Sequence, residues 1–316
     1  MRTAGLVTLL LASTSAFYTK RVETGGLVVA GSASVSDSAM AAAKTKLDRL
    51  FVRAPRLAHN LVAARMELHV VAKTEVQSDL PEHRSQRGRL WHTGETFDAH
   101  MRGGHLVGRF PSCTEANLLQ IAGSPLVGQD ACLHEIAHGI EWLGLAPALR
   151  LRIEETYRRA LGRGKLAGEY AGSNSHEYFA EATRWYFTKT AWLRGHDPET
   201  FTLVDDLFEG RTDPGVVRRV PLVLAPVAKL PSGHGRLPVR VDVTNTRKKP
   251  VRVIWIQFDG QRDQRPSAAK GTFVGLDDEQ TVYTYATHSF VVVDDETDAA
   301  IGSFTATEDD GTVTVR

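Results

Sequence analysis

The sequence predicts an α+β domain followed by an all-β sandwich domain, and three observations carry that expectation. Short β-rich runs alternate with helical patterns from Gly26 to Phe187. A series of prolines that includes Pro214, Pro221, Pro226 and Pro231 then punctuates an extended stretch. Beyond it, apolar residues alternate or run in short blocks between Gly, Asp and Asn turns. A chain of 316 residues has room for two cores, and 42% hydrophobic with 24% charged residues is a globular rather than a disordered composition. The expected boundaries are 1–16 for a signal peptide, 17–213 for the α+β domain, 214–236 for a Pro-rich linker and 237–316 for the sandwich.

In chain order, Arg2 followed by the apolar run Ala4 to Ala12 and small residues up to Ala16 has the form of a secretory signal peptide. A frayed hydrophobic N-terminus or a first strand is the alternative. The run is too short to cross a bilayer and no later segment approaches a span. The expectation is therefore a secreted, extracellular protein without a membrane span. Gly26 to Ala30 and Glu67 to Ala72 read as strands separated by a helix over Ser38 to Phe51. Asp79 to His83 reads as a loop and not a metal site, because Pro81 breaks any helical register among its Asp, Glu and His. Leu106 to Phe110, after the Gly103-Gly104 turn, reads as a strand, and an edge strand can bind an extended peptide.

Cys113 and Cys132 are the two cysteines of the chain, and in an exported protein such a pair predicts a disulfide, with two separate buried thiols as the alternative. A formal charge of +1, with no basic block interleaved with aromatics, argues against nucleic-acid binding; Arg247-Lys248-Lys249 reads as a turn between strands.

The densest chemical signal is His134-Glu135-Ile136-Ala137-His138. Two histidines four apart share one helix face and can grip a single zinc ion, while Glu135 is placed to take a proton from the metal's water and return it to the leaving amine. Leu133, Ile136, Ala137, Ile140 and Leu143 form an apolar stripe at helical spacing around the motif, and Gly144 can end the helix. Glu141 and Gly144 stand where the longer metzincin pattern needs Gly and His, so a third ligand must come from elsewhere. Asn174 to Glu181 is the best supplier, opening a helix that runs through Trp185 after a second, charged amphipathic helix over Ala146 to Arg163. Glu177 and Glu181 share a face there, and His176 is the rival donor.

His134 to His138 followed by Glu177-Tyr178-Phe179-Ala180-Glu181, with Tyr170 seven residues before Glu177, resembles the catalytic domain of anthrax lethal factor-like zinc metallopeptidases. The resemblance implies an α+β zincin-like metallopeptidase domain with one zinc ion. It implies Glu177 as third ligand, Glu181 as the carboxylate that orients a ligand histidine, and Tyr170 as the donor to the oxyanion.

In the second domain, Val253 to Gly260, Gly271-Thr272 and Thr284 to Phe290 resemble the β domain of the von Hippel-Lindau tumour suppressor. That family recognises hydroxyproline through a tyrosine, a serine, a histidine and a tryptophan. Carried over by position, Thr284 stands for the serine, His288 keeps the histidine, Phe290 replaces the tryptophan and Arg265 replaces the tyrosine. The implied role is peptide binding by Thr284, His288 and Phe290, with the loss of the phenol as a departure from the family's pattern.

Together these readings predict a secreted zinc endopeptidase acting on a protein or peptide substrate, with the β domain as a docking module. The alternative is a non-catalytic, zinc-containing secreted binding protein that acts through its sandwich.

Overall fold

The structure, a computed structural model, describes residues 16–91, 93–226, 230–263 and 271–316. The expected signal peptide, apart from Ala16, and Arg265 lie outside the described residues. The chain is of mixed α and β structure and divides into two compact units, one running to Leu145 and from Arg152 to Gly215, the other formed by Ala146–Leu151 and Val216–Arg316.

The first unit is built on a five-stranded sheet of order β1-β2-β3-β5-β4: β1 Lys20–Thr24, β2 Leu27–Gly31, β3 Glu67–Val71, β4 Gly104–Val107 and β5 Phe110–Thr114. The three inner strands are parallel, and both edge strands pair antiparallel with their neighbours. β2 is apolar on both faces, as a parallel strand covered on each side is, whereas β3 is largely buried but carries Glu67 and His69 on one face. The parallel β2–β3 step is crossed by two helices, α1 Asp37–Phe51 and α2 Pro55–Ala63. Ser36 caps α1 by accepting from the Ala39 N–H, and Ala39, Met40, Ala43, Leu47 and Leu50 bury one face. Pro55 opens α2, where its missing N–H costs nothing.

The helix expected around the histidine motif is α3 Ala131–Gly139, and it continues through one π-helical turn, Ile140–Gly144. It packs on β4 and β5. The next helices are α4 Pro147–Gly162, α5 Ser175–Thr188, α6 Thr190–His196 and α7 Pro198–Phe208. α5 lies against α3.

Two expectations change here. The run Leu106 to Phe110 is not one strand: Gly108, with φ +55°, turns the chain so that β4 ends and β5 begins as a hairpin. Residues 214–236 are not a linker in their described part. β6 Arg219–Pro221 pairs parallel with β13 Asp310–Val315, Leu222 and Leu224 pack on the apolar core, and Ala225 bridges Ser303. Of the prolines in this stretch, Pro221 lies in the edge strand β6, where a missing N–H is tolerated.

The remaining strands of the second unit are β7 Pro238–Asn245, β8 Val251–Ile256, β9 Thr272–Val274, β10 Asp278–Tyr285, β11 Ser289–Asp294 and β12 Ala300–Thr305. They form two four-stranded sheets, β10-β7-β13-β6 and β12-β11-β8-β9, whose residues share one core that includes Val241, Val253, Val292, Phe304 and Val313. A buried charge cluster lies beside it. Arg150 grips Asp310 through two hydrogen bonds of 2.8 and 2.7 Å, and Asp310 also accepts from the Arg240 N–H, while the Arg240 guanidinium bonds Asp242. Arg150 and Asp310 are each 1% exposed, so neither charge has water as an alternative partner.

Asp310→Ala should therefore lower the unfolding free energy by about 3–5 kcal/mol, the usual cost of leaving one buried charge unpaired. Urea titration reads this directly. A loss below about 1 kcal/mol, as for exposed pairs, would show that Arg150 finds water in the variant.

Candidate metal centre

Each motif residue reaches the site through a local rule. Asp130 caps α3 by accepting from the Leu133 N–H and is ion-paired with Lys46, so the helix starts just before His134. Cys132, on the first turn of α3, is paired in a disulfide with Cys113 of β5. Asn174 caps α5 by accepting from the His176 and Glu177 N–H groups at 2.9 and 3.0 Å, which puts Glu177 in its first turn.

The structure brings His134, His138 and Glu177 together. His134 Nε2 lies 3.1 Å from His138 Nε2 and 3.0 Å from Glu177 Oε2, and the third edge of the triangle is 3.5 Å. Tetrahedral zinc with bonds of about 2.0–2.1 Å holds its ligand atoms about 3.3–3.4 Å apart, so the triangle has the size zinc requires. The chemistry fits as well. His134 Nδ1 sits 2.9 Å from Glu181 Oε1, and a proton shared there leaves Nε2 as an acceptor. Glu177 Oε2 is buried and faces the ring nitrogens of both histidines. A proton on His138 could serve one of the other two atoms but not both, whereas a cation serves all three. The three side chains keep 11–19% exposure, which leaves the site reachable from solvent as a closed structural site would not be.

The charges follow from this crowding. Burial works to raise the Glu177 carboxyl, but hydrogen bonding to His134 and His138 overrides it and holds the group well below the usual carboxylate range. Glu135 is pushed up, chiefly by burial, with the two imidazoles opposing. Burial, then the charges of Glu177 and Glu135, raise the Tyr170 phenol, so it remains a proton donor. The Tyr170 ring is 6.1 Å from that of His134, in the one-turn helix Tyr170–Gly172 that packs on α5.

His176 is turned away from this cluster. Its Nδ1 lies 2.9 Å from Glu141 Oε1 and its ring 4.7 Å from Trp142, as adjacency to Glu177 on a helix demands. The Asp79–His83 segment forms two 3-10 turns and contributes no metal-holding group among the described residues.

Several residues at the site carried no sequence signal. Gly104 of the edge strand β4 faces Glu135: a Cβ there would lie 2.5 Å from Glu135 Cγ and 2.2 Å from the Ser112 carbonyl oxygen. His105, next in the strand, is pushed down to about 3, first by burial and then by the neighbouring His83 and His138. Arg184, one turn beyond Glu181, bonds that carboxylate with its guanidinium. Only the i, i+3 spacing from Glu181 hinted at it.

In the second unit, Thr284, His288 and Phe290 line one cavity of about 410 Å³ together with Trp255, Tyr285 and Asp263. Thr284 Oγ1 is 2.9 Å from His288 Nδ1, and the Trp255 and His288 rings are 5.3 Å apart. Phe290 is largely a core residue, stacked on Phe304 at 5.2 Å. Trp255 supplies a wall that the sequence reading had assigned only to a strand.

No protein-family model matches the chain, and a search of curated proteins gives no match.

If the triangle holds a metal, His138→Ala and Glu177→Ala should each lower zinc content after dialysis against a weak chelator, since two donors hold zinc far less tightly than three. Atomic emission on the purified variants measures this. Full occupancy in Glu177→Ala would transfer the third ligand to another group.

Proposed function

We propose that the protein is a secreted zinc-dependent endopeptidase of the lethal factor-like, zincin-like kind, hydrolysing peptide bonds with Glu135 as general base. The observation that carries the reading is the convergence of His134 Nε2, His138 Nε2 and Glu177 Oε2 with Glu135 on the same helix turn. Bound zinc would polarise the scissile carbonyl and lower the pKa of a water to about 7. Glu135, raised by its buried position, takes the proton of the attacking water and later delivers it to the leaving amine. Tyr170, kept protonated and largely exposed to an incoming chain, donates to the oxygen on which negative charge develops. Glu181 holds His134 by its Nδ1, which keeps the opposite nitrogen aimed at the metal. β4 is an open sheet edge beside α3, and a substrate pairing along it would present its backbone next to Glu135.

The second unit is read as a β-sandwich of the von Hippel-Lindau kind that docks protein substrate. The aromatic cavity with Thr284 and His288 supports that reading: it offers apolar walls and one hydrogen-bonding pair, the composition of a peptide side-chain pocket. No helix among the described residues is long and apolar enough to cross a membrane.

A random peptide library digested with and without a chelator tests the reaction class, with cleavage expected only in the metal-loaded sample. Glu135→Gln should keep zinc and lose turnover by about 10²–10⁴-fold, the range general acid–base catalysis supplies. Tyr170→Phe should keep zinc and lose turnover by about 10²-fold, as removal of one oxyanion donor does. Wild-type turnover in zinc-loaded Glu135→Gln would end the general-base role of Glu135. His288→Ala should leave short-peptide cleavage intact and slow cleavage of a protein substrate, because remote binding energy is what it removes. Equal rates on both substrates would end the docking role.

A further inference from the structure

We infer that Arg184 is a positioning residue for the metal site, acting through Glu181 on His134, an inference that rests on the zinc reading above. Glu177, Glu181 and Arg184 stand at i, i+4 and i+7 along α5 and so share one helix face. On that face the three side chains form a chain of contacts that ends at a ligand nitrogen. Glu181 Oε1 is 2.9 Å from His134 Nδ1, and the same oxygen accepts from Arg184 Nε at 3.1 Å. Arg184 Nη2 bonds the second oxygen, Oε2.

A carboxylate held only by one imidazole can still rotate about its last torsion and swing on three side-chain bonds. A guanidinium fork binds both oxygens in one plane and removes that freedom. With the carboxylate plane set, the imidazole that donates to it has one orientation, and so does its opposite nitrogen. The pair is also shielded. Arg184 keeps 14% and Glu181 8% of their side-chain exposure, which separates the contact from the open i, i+3 ion pairs that contribute almost nothing. Arg184 also places a positive charge behind a cluster in which Glu135, Glu177 and Glu181 crowd two histidines, so the orienting carboxylate does not add an unbalanced charge to the ligand set.

The decisive experiment measures zinc dissociation constants by competition with a chromophoric chelator for the wild-type protein, Arg184→Gln, Arg184→Lys, Glu181→Gln and the double variant Glu181→Gln/Arg184→Gln. Visible spectra of the cobalt(II)-loaded proteins report ligand geometry alongside. Arg184→Gln should weaken zinc about 10-fold, at the lower end of what groups behind a ligand contribute, and shift the cobalt bands. Arg184→Lys, a point charge without the fork, should lie between it and wild type. The double variant should bind no more weakly than Glu181→Gln alone, because Arg184 has nothing to act through once the carboxylate is gone. Wild-type affinity and spectrum in Arg184→Gln overturn the inference, and so do additive losses in the double variant. Should Arg184→Gln fail to fold, wild-type values in Arg184→Lys overturn it instead. A wild-type protein with no measurable zinc affinity retires the peptidase reading itself, whereas tight wild-type binding with unaffected Arg184 variants retires this inference alone.

Discussion

The proposed metal site depends on holding donors from two helices, about forty residues apart in sequence, within a few tenths of an ångström of a fixed triangle. α3 supplies two donors at no cost, since i and i+4 already share a face. The third must be brought to them, and much of the first unit serves that end. The disulfide ties the first turn of α3 to β5. Close packing holds the far end, where a side chain at Gly139 would press to 3.1 Å from Met66 and 3.3 Å from Pro111. α5 is pinned by its Asn174 cap and by the burial of Tyr178, Phe179 and Ala182. A one-residue shift of α5 would turn its side chains by about 100° and carry Glu177 out of the triangle, so the cap and the polar contacts of Glu181 act with apolar packing to set its register.

The second unit meets a different constraint. Its two sheets have a core of small apolar side chains, mostly valines, and close beside it run Arg150, Arg240, Asp242 and Asp310. Such a cluster is weak support for stability but strict about partners, because any arrangement that separates one charge from its mate leaves it buried and unpaired. Arg150 comes from the first turn of α4, so this unit is discontinuous in sequence and includes Ala146–Leu151. Cutting the chain near residue 215 would strand that segment without Asp310. A point substitution in the cavity is thus a cleaner probe of docking than removal of the unit.

The two helices of the candidate metal centre were legible in the sequence because their signals are local: an i, i+4 pair, an apolar stripe, an Asn cap after a Gly-Ser-Asn turn. So were the strands from Val239, Val251, Thr281 and Ser289, whose β-branched runs exceed any helical alternative. The hairpin at Gly108 was not, since both of its strands are short and Pro111 sits inside the second. β6 and β13 were missed because β6 has three residues and β13 pairs in parallel with strands far away in sequence, so neither leaves a turn signature. Arg150 read as one more charge on an amphipathic helix. Nothing local distinguishes an arginine that meets water from one that meets an aspartate 160 residues later.

Gly104 shows why the site was harder to read than the motif. It lies in an edge strand with φ +154°, a backbone setting that side-chain-bearing residues rarely adopt, and the chain there passes against the Ser112 carbonyl on one side and Glu135 on the other. The base proposed here needs a fixed position, and a neighbouring side chain at this point would have to occupy the volume of Glu135 Cγ. The glycine therefore lets the strand serve two purposes at once. It lets β4 pass close beside Glu135, and it leaves that carboxylate its rotamer. In the sequence the same residue is the second half of a Gly-Gly turn, a reading that is correct for the backbone and silent about the carboxylate, because the two meet only once the sheet and α3 have packed.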